Sequence, residues 1–282
     1  MKATRNFLSR IGRSHPVSDF ALWAAGLTFF GVIAIVPLAL ESVALTGRVV
    51  GAARVRAGFD HVVEGVPDFH GTRQAILGLV NAGLELSWAR QVALLFPMSL
   101  YGEGLRRAFL QLSFGRPTST TGWRGRVAIL PVSAAGPVLV LFTVYLAPTV
   151  GPLYGAGGGR LVLGVLIAFH FTFLAVGTLL VLVYRGVGSV AVSKKAAMVG
   201  AFSAASFIAG FAQGFLVFLA IPIDWADLFG GLRAVGTMTA LTLWLYVMHF
   251  LVLTGYRIAL VMDERSKLVV RLETLHLGSS SP

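Results

Sequence analysis

Four stretches of this chain, Val127–Val150, Leu161–Tyr184, Ala197–Ile221 and Gly236–Met262, run 24 to 27 residues with Arg257 as their one charged residue. A bilayer core is about 30 Å thick and an α-helix rises about 1.5 Å per residue, so roughly 20 apolar residues span it. Each stretch is long enough to cross with some tilt. A fifth run, Ala21–Leu45, follows Lys2, Arg5, Arg10 and Arg13 and contains Pro37 and Glu41. It exceeds the roughly 7 to 15 residues of a signal-peptide core and reads as span one. With 56% apolar and 12% charged residues, the chain has too little polar surface to cover a soluble globule.

The second span is the least apolar. Its uncharged run, Gln91–Gly102, holds Pro97, and a helix from about Trp88 to Leu110 requires Arg90, Glu103 and Arg106 to snorkel or face protein. Between spans one and two, Val55, Phe59, Val62 and Val63 repeat at helical spacing, as do Ile76, Val80 and Leu84. They predict two amphipathic helices split by Pro67. The fold expected is all-α, a polytopic transmembrane helix bundle of about six spans with an external amphipathic segment. The chain divides into a basic lead (1–19), broken at His15-Pro16, a six-span domain (20–264, with 46–87 as the external segment) and a tail (265–282) ending in the flexible Gly278–Pro282.

Placing the N-terminus inside puts 15 of the 23 Lys and Arg residues in cytoplasmic segments (1–19, 104–126, 185–196 and 263–282). Seven fall outside, and Arg257 lies within span six. This bias predicts both termini in the cytoplasm. The net charge of +11 is thereby assigned to loops and lipid headgroups, and no nucleic-acid partner is expected. The intra-span prolines, all in the first three spans, give no two-fold transporter repeat.

The order of segments resembles the YihY/BrkB family of bacterial inner-membrane proteins, formerly mislabelled ribonuclease BN. In span one the resemblance rests on Ala24-Ala25, Phe29-Phe30 and Pro37, with Ala34 at the usual Ser position. After span two it rests on Leu105-Arg106-Arg107-Ala108-Phe109, and after span four on Tyr184-Arg185, with Gly188 where the family has Pro. In span six, Leu243-Trp244-Leu245-Tyr246 and Gly255 match its Leu-Trp-x-Tyr and Gly-x-Glu ending, with Arg257 at the Glu position and Ala259 at an Asn position. The resemblance implies a six-span bundle in a bacterial inner membrane, with a role in envelope lipids or solute transport.

Enzymatic chemistry finds little support in the residues. The chain has no cysteine, so thiolate chemistry is excluded. The one cluster of metal-ligand types, Asp60, His61, Glu64, Asp68 and His70, reads as a solvated face interrupted by Pro67. Gly155, Gly157, Gly158 and Gly159 lack the strand and the Lys-Ser or Lys-Thr of a phosphate loop and read as a turn. No Ser-x-x-Lys or Gly-x-Ser-x-Gly motif occurs. A non-enzyme without metal or cofactor is expected, and the nuclease label is unsupported.

Polar residues inside spans are more informative, because hydrocarbon makes them costly and they usually face the bundle interior. His170 and His249 fall near mid-depth, and Thr242, Tyr246, His249 and Arg257 share one face of span six. With Glu41 at the external mouth, the residues Glu41, His170, Tyr246, His249 and Arg257 form a candidate substrate pathway. The plainer alternative is hydrogen bonding between helices, with Arg257 snorkelling. Gly200, Ala204, Gly210 and Gly214 mark a packing stripe on span five, whose partner helix belongs to this chain or to a second copy in a homo-oligomer. Membrane lipids are the expected partners. The function expected is a transporter or flippase-like protein for lipid or an amphipathic solute, with a non-transporting envelope scaffold as the alternative.

Overall fold

The computed structural model describes residues 17–65, 72–113, 126–127, 129–188, 190–219 and 227–278. Among them are eight α-helices and no strand: α1 (Val17–Val50), α2 (Ala52–Gly65), α3 (Thr72–Leu84), α4 (Trp88–Leu112), α5 (Ile129–Gly155), α6 (Gly158–Gly186), α7 (Lys194–Leu219) and α8 (Arg233–Gly278). Five of them, α1, α5, α6, α7 and α8, are long and apolar enough to cross a bilayer. The 25-residue α4 has the length, about 37 Å, but carries Arg90, Glu103, Arg106 and Arg107. The chain is an all-α transmembrane bundle of about six spans.

The boundaries follow local chemistry. Gly51, at φ 91°, sits in the left-handed region and ends α1, so that α2 leaves in a new direction. Gly157 and Gly158, at φ 66° and 53°, make the short reversal between α5 and α6. Ser87 starts α4 by accepting a hydrogen bond from the backbone N–H of Arg90. Pro37 leaves α1 continuous from Val17 to Val50, a few residues beyond the run expected from apolarity. Helix α8 continues through the expected tail to Gly278. The basic lead through Pro16, the expected break at Pro67, and residues 279–282 lie outside the described residues.

Helix α1 is the hub, packing against α2, α3, α4, α5 and α8, while α5, α6, α7 and α8 pack in succession and return to it. We call the side on which α1 begins proximal and the side carrying α2 and α3 distal. The larger core is proximal, gathering Phe20, Ala24 and Leu27 of α1, Leu105 to Leu112 of α4, Leu180 to Tyr184 of α6, Ala197 and Ala201 of α7 and Leu253 to Leu260 of α8. The smaller, distal core joins Val43 of α1, Val55 of α2, Val80 of α3 and Val144 of α5. The amphipathic helices therefore dock by the apolar faces their spacing predicts.

Lipid tails are as apolar as leucine, so burial alone does not hold spanning helices together; close packing and interhelical polar links do. Gly200 and Ala204 of α7 meet Gly255 of α8 backbone to backbone, and a Cβ on either Gly200 or Gly255 would strike the carbonyl of the other. This half of the predicted stripe packs within the chain. The other half, Gly210 and Gly214, meets nothing among the described residues.

Polar links close the proximal end. The guanidinium of Arg257 donates to the Leu112 carbonyl at the end of α4 (2.9 Å), and Arg106 donates to the Val187 carbonyl that follows α6 (3.1 Å). The Asp263 carboxylate accepts from the backbone N–H of Ser193, just before α7 (2.9 Å). Helix C-termini attract cations and N-termini anions, so each link has the favourable sign. Phe109, Tyr184 and Tyr256 cluster among these termini, with the Phe109 and Tyr256 rings stacked 4.1 Å apart and Tyr184 meeting Phe109 edge-on. Segments that carried the family resemblance thus converge: Arg106 to Phe109, Tyr184 and Gly255 all belong to this closure.

Candidate functional site

Midway along the bundle, α1, α4 and α8 bring together three polar side chains. His249 of α8 is buried, with Nδ1 3.1 Å from the Thr28 hydroxyl of α1 and Nε2 3.0 Å from the Tyr101 hydroxyl of α4. The network assigns its own directions. Thr28 donates its single hydrogen to the Ala24 carbonyl (2.7 Å), so towards the imidazole it can only accept. His249 therefore carries hydrogen on Nδ1, and in the neutral form of the ring Nε2 accepts from Tyr101. Tyr101, His249, Thr28 and Ala24 form one directed chain of hydrogen bonds. Gly31 makes room for it, since a Cβ there would strike the imidazole of His249.

Beside this chain, a groove of about 570 Å³ opens between α1 and α8. Thr28 forms part of its wall, with Phe29, Thr239, Thr242, Leu243 and Tyr246. Thr239 and Thr242 spend their hydroxyl hydrogens on the Val235 and Met238 carbonyls of their own helix (2.9 and 2.7 Å). What these two present outward are oxygen lone pairs, while the Tyr246 hydroxyl can donate as well as accept, so the groove is an apolar trough with hydrogen-bonding oxygens in its wall. A second groove, about 610 Å³ between α5 and α6, has Thr178 as its one polar side chain among alanine, leucine, valine and phenylalanine.

The structure distributes the sequence-predicted residues unevenly. Tyr246 lines the α1/α8 groove, and His249 lies directly behind its Thr28 wall. Glu41 is buried ten residues distal of Gly31 on α1, about 15 Å along the helix. Arg257 is 1% exposed and engaged with the end of α4, in the proximal closure. His170 is exposed on α6, its ring bonded to the Leu166 carbonyl one turn back (2.8 Å), with no hydrogen bond to His249. Thr28 and Tyr101, which complete the centre, were not singled out from sequence. Threonine and tyrosine are ordinary in spans, and only tertiary packing brings these two to one imidazole.

Among the described residues no group of three or more His, Asp or Glu could hold a metal ion. His61 and Glu64 form an exposed pair at 3.5 Å on α2, while Asp68 and His70 lie outside the described residues.

Comparison with known proteins places these features in a family context. A family model described as Virulence factor BrkB matches residues 17–275. No curated protein and no solved structure matches the chain.

Proposed function

The chain belongs to the Virulence factor BrkB family, and from that membership and its apolar spans we propose that this integral membrane protein moves a lipid or another amphipathic envelope solute along the α1/α8 groove. One observation carries the reading. The groove joins an apolar trough to acceptor oxygens, and its Thr28 wall is hydrogen-bonded to the buried His249. Such a surface suits a molecule with an apolar body and a polar head that can hydrogen-bond to those oxygens and to the Tyr246 hydroxyl.

The shape supports the same reading. The proximal halves of α4, α6, α7 and α8 are sealed by the aromatic cluster and the terminal links. Distally, Leu161, Val162 and Leu166 of α6, Phe207 and Phe211 of α7, and Val235, Met238 and Leu243 of α8 are exposed. A bundle sealed at one end, with a groove open along its side, is a form that one state of an alternating-access carrier takes. The distribution of Lys and Arg supports a cytoplasmic proximal side in a bacterial inner membrane. On this reading the partners are membrane lipids rather than nucleic acid, the chemistry is movement rather than catalysis, and a second copy would approach at Gly210 and Gly214.

The test is lipid redistribution in vesicles reconstituted with the purified full-length protein. Movement of a labelled lipid that is lost on filling the groove with Thr242→Phe, while a surface control such as Val162→Phe retains it, supports the proposal. Wild-type protein that moves neither lipid nor amphipathic solute overturns it in favour of the scaffold.

A further inference from the structure

Distal of the His249 centre, two buried side chains at the α1/α4 interface each hold one polar atom with no hydrogen-bond partner among the described residues. Glu41 is 9% exposed and its Oε2 meets no donor among the described residues; Gln91 is 3% exposed and its Nε2 meets no acceptor. Arg48 ties the two together. It lies two turns distal of Glu41 on the same face of α1, donates to Gln91 Oε1, and stacks its guanidinium 3.5 Å above the Trp88 ring.

A carboxyl group inside a span is expensive unless it is neutralised or paired. Arg48 does not pair with it directly: the guanidinium is spent on Gln91, the Leu86 carbonyl and Trp88. Arg48, two turns along, is the cation that shares the Glu41 face of α1. Arg54 and Arg56 of α2 and Arg90 of α4 are exposed, and α3 carries Arg73 near its start; Tyr101 of α4 and His249 of α8 lie in the next polar layer, Glu103 and Arg106 of α4 and Tyr256, Arg257 and Asp263 of α8 lie further proximal, and α5 offers only tyrosines. A metal ion would need several oxygen ligands, whereas Gln91 Oε1 is already taken and a guanidinium stands beside the site. A proton needs one lone pair, and Glu41 Oε2 has one to give.

We propose that Glu41 is a proton-binding site whose occupancy is coupled to the α1/α8 groove through α1. The coupling rests on the functional reading above and has a structural basis. The same rigid helix carries Glu41, Gly31 against the imidazole of His249, and Thr28 in the groove wall. Adding or removing a charge at Glu41 changes the packing of α1 on α4, the interface on which Tyr101 and His249 also depend.

Infrared difference spectroscopy of the full-length protein in lipid, across a pH step at constant ionic strength, tests the site without reference to transport. The expected result is a protonated-carboxyl band that titrates in the wild type, is absent in Glu41→Gln and persists at a shifted position in Glu41→Asp. In parallel, a cysteine placed at Ala25 in the groove should react with a thiol probe at a pH-dependent rate in the wild type and a pH-independent rate in Glu41→Gln. A band that survives Glu41→Gln, a carboxylate that stays ionised at every pH where the protein is folded, or a response to sodium instead of pH would overturn the site. A titrating Glu41 band in a protein that moves no lipid would leave the site standing and refute the transport reading alone.

Discussion

A guanidinium nitrogen of Arg257, on α8, lies 2.9 Å from the carbonyl oxygen of Leu112, the last residue of α4. A helix leaves its last four carbonyls without intrahelical donors, and in a buried position water does not supply them. Arg257 therefore completes α4 from another helix, a contact that sequence spacing along α8 alone cannot reveal.

Replacing Arg257 by Leu should cost about 1–3 kcal/mol, the usual consequence of leaving a buried polar group unsatisfied. Arg257→Lys should lose less, since an ammonium keeps the charge but not the planar fork. Unfolding in mild detergent followed by tryptophan fluorescence checks the order. Equal stability in all three proteins would mean that the Leu112 link contributes nothing.

The two halves of the small-residue stripe on α7 should respond oppositely to added bulk. Gly200→Val drives a side chain into the Gly255 carbonyl and Ala259 of α8, and should destabilise by about 1–3 kcal/mol, as overpacking usually does. Gly210→Ala meets nothing and should be neutral or gain up to about 1 kcal/mol of helix propensity. Melting temperatures of the two variants in the same detergent decide it.

The directed chain through His249 predicts which tautomer the ring holds. Nitrogen NMR of labelled protein should show hydrogen on Nδ1, and Tyr101→Phe should perturb Nε2 selectively. Interhelical hydrogen bonds in membranes average about 0.6 kcal/mol, so the stability loss from Tyr101→Phe should be of that order. A ring with hydrogen on Nε2 at neutral pH would contradict the assigned directions.

The orientation is tested by cysteine labelling, which natural absence of cysteine makes free of background. Single cysteines at Ser14, Ser119, Ser193 and Ser279 should all resist a membrane-impermeant thiol reagent in intact cells. Labelling of any one from outside would reject the N-in, C-in arrangement.

Backbone hydrogen exchange should separate the docked faces of α2 and α3 from a loose loop. Amides around Val55 and Val80, buried against Val43 and Val144, should exchange slowly. Uniformly fast exchange through 52–65 and 72–84 would show that neither helix is held on the bundle.

How much of this was legible in the sequence depended on whether the signal was local. The helix containing Pro97 was expected from Trp88 to about Leu110 and runs from Trp88 to Leu112. The apolar faces of α2 and α3 were legible because helical spacing alone defines them. The site was harder. His249 and Tyr246 could be named, because a histidine or an aligned polar stripe inside a span is rare. Thr28 and Tyr101 could not, because nothing along α1 or α4 marks them until a third helix supplies the imidazole. His170 shows the converse: a mid-span histidine can satisfy Nδ1 with its own Leu166 carbonyl and stay on the outer surface. The role of Arg106 and Asp263 at helix termini likewise required knowing which ends meet.

Helix α8 is 46 residues long, about 69 Å, and has no proline in its interior. The hydrocarbon core takes up less than half of that length. Tyr246, His249, Arg257 and Asp263 thus lie on a single shaft that extends well past the lipid. A twist or tilt applied to its far end would reach the groove wall as a lever's does, with no joint in between to absorb it.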